Sequence, residues 1–179
     1  MYCVTFPKDY VIDKDELIEL WMSQDYLEVK RGNKERKIVG QRCLMGNIIR
    51  SKMHDIVHDF VQYLTKDECF SMVVKGGNER MEFPGDEVRH LSLMFALEGP
   101  FPVSFLNYKS LCTRTCFDSK FTCIVVELIL QLKSLRTLNL SKNSIIEVPK
   151  EIGGLIHLRY LNLSWNDELK ELPDSLGDL

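Results

Sequence analysis

Apolar residues recur at helical spacing twice in the first third of the chain. In "KDELIELWMSQDYL", Leu17, Leu20 and Trp21 fall on one face, which predicts an amphipathic helix with a buried stripe. Asp13 precedes that run as an N-cap, and Glu16 three residues on completes a capping box. In "MHDIVHDFVQYLTKD", Met53, Ile56, Val57, Phe60, Val61 and Leu64 again share a face. The expected helix carries an apolar stripe centred on Phe60 and Leu64, the side a surface helix turns to its core. Asp55 and Asp59 point away from the stripe, and His54 and His58 lie at its border. Between the two helices, "EVKRGNKERK" is charged and holds Gly32 and Asn33, so it reads as a solvated loop. A short helix or strand is expected around Ile38 to Leu44, and "NIIRS" reads as a short strand.

The pattern changes near Gly76. "KGGNERMEFPGDE" carries Gly, Asn, Asp and Pro and reads as a linker. Beyond it the chain repeats: "LRTLNLSKN" at Leu135 returns as "LRYLNLSWN" at Leu158, an offset of 23 residues, and "VPKEIGGL" returns as "LPDSLGDL". This is the L-x-x-L-x-L-x-x-N pattern of leucine-rich repeats. Stepping back from Leu135 gives a unit at Leu111, degenerate because Arg114 and Cys116 stand where leucines belong. A further step reaches Val88, where Val88, Leu91 and Leu93 fit. About four units are therefore expected over 88–179, the one at 111–134 degenerate.

Each repeat implies a short strand. Leu135, Leu138 and Leu140, like Leu158, Leu161 and Leu163, alternate inward and are buried only against neighbouring units. Asn143 and Asn166 are expected to turn their amides onto backbone groups where the chain bends. Pro149 and Pro173 open the returning convex segments. The alternate positions, Arg136, Thr137, Asn139, Arg159, Tyr160 and Asn162, with Arg89, His90 and Ser92 earlier, are expected to line a concave face. Arg and Tyr are residue types that dominate binding hot spots.

Composition narrows the function classes. The 179 residues make one ordinary domain or two small ones, with a net charge of −3 that leaves no electrostatic footprint for nucleic acid or an anionic membrane. The longest apolar run, "CIVVELILQL", is half a membrane span and contains Glu127. The first residues lack the basic region and apolar core of a secretory signal. None of the six cysteines forms a C-x-x-C pair, so reduced, structural thiols are expected and no metal site.

"HDIVH" stands close to the H-E-x-x-H pattern of zinc peptidases. The Asp is shorter than the Glu such a base needs, no third ligand follows on the same helix, and the helix is already explained as amphipathic. A catalytic metal reading is set aside.

The order "FPKDYVIDKDELIELWMSQDYL", "KMHDIVHDF", "VRHLSL", then repeats with "LPDSLG" resembles the plant nucleotide-binding leucine-rich-repeat immune receptors of the coiled-coil type. The resemblance implies an α + α/β chain: an incomplete helical winged-helix domain followed by a short leucine-rich-repeat solenoid. Residues 1–67 would be a truncated winged-helix subdomain, 68–87 a linker and 88–179 the first repeats. It lacks about one helix between Trp21 and Met53, where "VGQRCLMGNII" reads as two flanks joined. The family's phosphate loop, G-x-x-x-x-G-K-[ST], is absent from this sequence.

By the same resemblance, His54 is the histidine that senses the phosphate end of ADP in an intact receptor, with Asp55 its neighbour. A place in the first helical turn favours phosphate, and Asp55 would cap or orient that turn. No cofactor is expected in this chain; ADP or ATP is implied for the full-length family member. The implied function is a non-catalytic, cytoplasmic switch and interaction module in defence, with protein partners: a pathogen effector, a guarded host protein or related receptors. The alternative is a generic leucine-rich-repeat interaction or decoy protein without receptor activity.

Overall fold

The computed structural model describes residues 5–27, 33–44, 49–74, 88–95, 113–117 and 126–179. The chain divides into two compact units, Met1–Lys66 and Asp67–Leu179.

In the first unit, β1 (Ile12–Asp13) pairs antiparallel with β2 (Arg50–Ser51), Ile12 beside Ser51 and Asp13 beside Arg50. α1 (Lys14–Ser23) starts at Asp13, whose carboxylate accepts the Asp15 N–H at 3.0 Å, as an N-cap does. Its inward face is Leu17, Ile18 and Leu20, while Trp21 is only half-buried. α2 spans Asn33–Cys43, so the charged stretch expected to be a loop is helical from Asn33 onward. Its charges solvate and anchor a helix: Arg36 donates to Asp25 at 2.9 Å and Lys37 to Glu19 of α1 at 2.8 Å. The inward side carries Gly40, where a Cβ would stand 2.9 Å from Ile18 Cγ2; only glycine lets α2 approach Ile18 this closely. α3 (Asp55–Leu64) completes the unit.

The second unit is built on one parallel sheet. Its strands are β3 (Cys69–Val74), β4 (His90–Phe95), β5 (Thr113–Phe117), β6 (Thr137–Asn139) and β7 (Tyr160–Asn162), side by side in chain order. The register runs Cys69, His90, Thr113, Thr137, Tyr160 across the sheet, one strand per repeat. Two expectations change here. The stretch taken as a linker begins with β3, which pairs with β4 along its whole length; Phe70 packs against the repeat core and gives this strand its reason to form. The remainder of that stretch, 75–87, lies outside the described residues. In the unit expected to be degenerate, β5 holds register, Arg114 standing beside Leu91 and Leu138. Backbone pairing tolerates an imperfect side-chain pattern when strands flank both sides.

Behind the sheet lies one core of Val88, Leu91, Leu135, Leu138, Leu140 and Ile145, closed by Ile129 and Leu132 from α4 (Val126–Gln131) and by Val148, Ile152 and Leu155. Leu158, Leu161 and Leu163 are partly buried against it; among the described residues β7 pairs with β6 alone. The backbone turns at Lys142 (φ 56) and again at Trp165 (φ 61), each just before a repeat asparagine. Short 3-10 turns, Lys150–Gly154 and Asp174–Asp178, follow Pro149 and Pro173 and stack on each other. Among the described residues no helix is long and apolar enough to cross a membrane.

Candidate functional site

His54 stands one residue ahead of α3, with φ −65 and ψ 138, and its Nδ1 accepts the Ile56 N–H at 3.3 Å. The expected roles are thereby exchanged. His54 is the cap, and Asp55 is the first helical residue, its charge favourable at the positive end of the helix dipole. The physical reason is the extended backbone at His54, which folds its imidazole back over the first turn. An Nδ1 that accepts places the proton of the neutral ring on Nε2, so the exposed His54 offers one N–H donor at the head of α3.

α3 buries the side opposite to the one its apolar pattern indicated. His58 is 5% exposed and Thr65 8%, whereas Phe60 is 60% and Leu64 58%. At about 100° per residue, His58 and Thr65 share one side and the apolar stripe occupies the other. The polar side makes the attachments. His58 Nε2 lies 3.2 Å from the Phe6 carbonyl, and Nδ1 lies 3.4 Å from Asp59. Asp59 in turn accepts from Lys8 at 2.9 Å. That Lys8 bond, and then His58, hold the Asp59 carboxyl below its usual range, and the same bond raises Lys8. Both ring nitrogens of His58 have oxygen partners, so the histidine pair of "HDIVH" has structural work on each member. Among the described residues no group of three or more His, Cys, Asp or Glu could hold a metal ion.

No local signal marked His58. Its partners, Phe6 and Lys8, lie some fifty residues earlier, and a histidine on the polar side of an amphipathic helix reads as surface.

The strand positions opposite the leucines divide by strand. On β6, Thr137 and Asn139 are both 0% exposed, which corrects their expected place on an open concave face. On β4, His90 and Ser92 are also buried. These strands have neighbours on both sides, and the short Asn139 side chain folds along the chain to accept the Ser141 N–H at 3.0 Å. Burial pushes His90 down to about 4; Glu68 opposes that shift and Arg89 adds to it. β7 is different. Arg159 is exposed, Tyr160 and Asn162 are half-buried, and Asn162 donates to the Tyr160 hydroxyl at 3.2 Å. With half-buried Arg136 and exposed Arg89, these residues are the accessible part of the face among the described residues.

The repeat asparagines hold the bends. Asn143 donates to the Leu140 and Ser141 carbonyls, both at 2.9 Å. Asn166 spans two repeats, donating to Leu163 at 2.7 Å and Leu140 at 2.9 Å while accepting the Ile145 N–H at 3.1 Å.

The family described as the disease resistance protein winged helix domain matches residues 5–61, the span from Thr5 into α3. Leucine-rich-repeat families match 118–167 and 157–179. The disease resistance protein RPS5 of Arabidopsis thaliana is 30% identical over 100% of this chain. A probable disease resistance protein of the same plant is 32% identical over 97%, and the putative disease resistance protein RGA1 of Solanum bulbocastanum is 29% identical over 95%. The chain belongs to the plant disease resistance proteins. It spans 22% of the length of RPS5 and 16% of RGA1. In this chain the parallel sheet begins before the matched repeats: β3, β4 and β5 all precede residue 118.

Proposed function

We propose that this chain is the winged-helix and first-repeat region of an intracellular immune receptor, working in the cytoplasm as a non-catalytic switch and interaction module. The observation that carries the reading is the order of its two units, a disease-resistance winged helix followed directly by leucine-rich repeats, matched along the whole chain by disease resistance proteins. The repeats form the first turns of a solenoid whose partners are proteins: an effector, a guarded host protein or related receptors. Arg136, Arg159, Tyr160 and Asn162 are the contact residues, since Thr137 and Asn139 are covered.

His54, with Asp55, is the nucleotide-sensing element once the phosphate-binding module is present. The capped geometry supports this. With Nδ1 bound to the Ile56 N–H, the Nε2–H is the donor available for a phosphate oxygen of ADP, close to the helix N-terminus. Asp55 holds the turn.

A chimera tests the reading. Residues 1–179 replace the corresponding segment of full-length RPS5, and nucleotide is extracted from the purified protein and quantified. The expected outcome is retained ADP in the chimera, a lower ADP content on His54→Ala, and cell death in leaves without an elicitor. Unchanged ADP content in the His54→Ala chimera would overturn the sensing role.

A further inference from the structure

One turn of the N-terminal segment brackets His54. The Tyr10 N–H donates to the Pro7 carbonyl at 3.1 Å, so Lys8 and Asp9 are the central residues of that turn. Asp9 sits at φ 66, a left-handed conformation that Asp tolerates better than most residues. The two tip residues carry opposite charges, and each meets its complement on a different side of His54. Asp9 accepts from Lys52, two residues before His54, at 2.9 Å. Lys8 donates to both carboxylate oxygens of Asp59, five residues after it, at 2.9 and 3.2 Å. At the base of the turn the Phe6 carbonyl lies 3.2 Å from His58 Nε2. The buried Phe6 ring stacks on Tyr10 with centroids 5.2 Å apart, which ties the start of the turn to its end.

Beyond the turn the same two segments run antiparallel. Ile12 lies beside Ser51, Asp13 beside Arg50, and the Lys14 N–H donates to the Ile49 carbonyl at 2.9 Å. Residues 6–14 therefore hold 49–52 on one side and His58 and Asp59 on the other, and step over 53–57. His54 lies in the part stepped over, so the anchors on either side set where it stands. Lys52 holds the Asp9 carboxyl below its usual range, and Lys8 does the same for Asp59. An exposed ion pair shifts an equilibrium only about two- to five-fold. Pairs of that strength matter little to folding and are matched to trimming a binding equilibrium.

We propose that the Pro7–Tyr10 turn is a positioning element for His54: by bridging Lys52 and Asp59 across the head of α3, it holds the imidazole where it meets nucleotide and so sets how firmly ADP is retained. This rests on the nucleotide-sensing reading of His54 and adds the device that regulates it. Either charge pair alone still anchors the turn, so both must be removed to free it.

Lys8→Gln with Asp9→Asn is the test, since it keeps side-chain size and the tolerance for positive φ while removing both pairs. In the 179-residue chain, amide exchange of Ile56, whose N–H His54 holds, is expected to rise about two- to five-fold, with Thr65 at the far end of α3 unchanged. Lys8→Arg with Lys52→Arg, which keeps both pairs, should behave as the unsubstituted chain. Unchanged Ile56 exchange in the first variant would overturn the bracket. In the RPS5 chimera, Lys8→Gln with Asp9→Asn should speed ADP release about two- to ten-fold at an unchanged thermal midpoint. It should add nothing once His54→Ala is present. Equal acceleration with and without His54→Ala would overturn action through His54, as would release that His54→Ala speeds and the turn variant does not. Release indifferent to His54→Ala would overturn the sensing reading, and with it the turn's control of nucleotide, while Ile56 exchange still reports the bracket itself.

Discussion

The side-chain amide of Asn166 donates to the Leu140 carbonyl of the preceding repeat at 2.9 Å, and its oxygen accepts the Ile145 N–H of that repeat at 3.1 Å. One buried side chain thus closes backbone groups in two repeats. Asn166→Ala removes the partner of the Leu163 carbonyl and of the Ile145 N–H and leaves the Leu140 carbonyl with Asn143 alone, and the expected loss is about 2–4 kcal/mol. Asn143→Ala, which removes the amide from the Ser141 carbonyl and leaves the Leu140 carbonyl its bond from Asn166, should cost less. Urea unfolding of both variants, followed by circular dichroism, gives the comparison; equal losses would show that the bond between repeats adds nothing.

His90 gives the repeat unit an acid-sensitive stability. Its folded value, about 4, lies below the ordinary 6.5. Between those two pH values the unfolded chain binds the proton and the folded chain does not, so stability falls as pH is lowered from 6.5 toward 4. The full span corresponds to about 3 kcal/mol. Asp9 and Asp59, whose values are lowered by Lys52 and Lys8, act only below the ordinary carboxylate value, so the higher window belongs to His90. Urea midpoints at pH 7 and 4.5 should differ markedly in the native chain and much less in His90→Asn.

The two 3-10 turns meet at Gly153. A Cβ there would lie 2.5 Å from the Ser175 backbone oxygen and 2.8 Å from Ser175 Cβ. Backbone cannot swing aside as a side-chain tip does, so Gly153→Ala should force the last turn away and break the bond of 2.6 Å from Ser175 Oγ to the Lys150 carbonyl. The expected loss is about 1–3 kcal/mol. Gly154, with nothing within 4 Å of its added Cβ, is the control, and Gly154→Ala should leave the thermal midpoint nearly unchanged.

In the first unit, His58 fastens α3 to the backbone at Phe6. His58→Phe keeps a ring but removes the buried bond to the Phe6 carbonyl, for a loss of about 1–3 kcal/mol. Lys8→Ala removes only an exposed partner of Asp59 and should leave stability almost unaltered. Hydrogen exchange of the α3 amides should rise in the first variant and not in the second.

Short-range signals were legible in the sequence. Asp13 ahead of α1, the 23-residue step between Leu135 and Leu158, and the prolines opening each returning segment all act through bonds or contacts within a few residues or between adjacent repeats. The family was legible too, because the order of "MHDIVHDF" and the repeats is itself a sequence feature. Signals that depend on a distant partner were not. The charges of α2 resembled a loop until Glu19 and Asp25 were placed opposite Lys37 and Arg36. Likewise β3 looked like linker until β4 lay beside it.

The sequence by itself determined where strands repeat, where helices begin and which family the chain joins, since periodicity and capping are local and the matches follow residue order. Only the tertiary structure decided which face of α3 is covered and which strand positions remain accessible. An amphipathic pattern names two faces but not which one meets the neighbour. That choice was made by His58 bonding to Phe6 across the unit, and for the repeats by whether a strand has, among the described residues, one neighbour, like β7, or two, like β6.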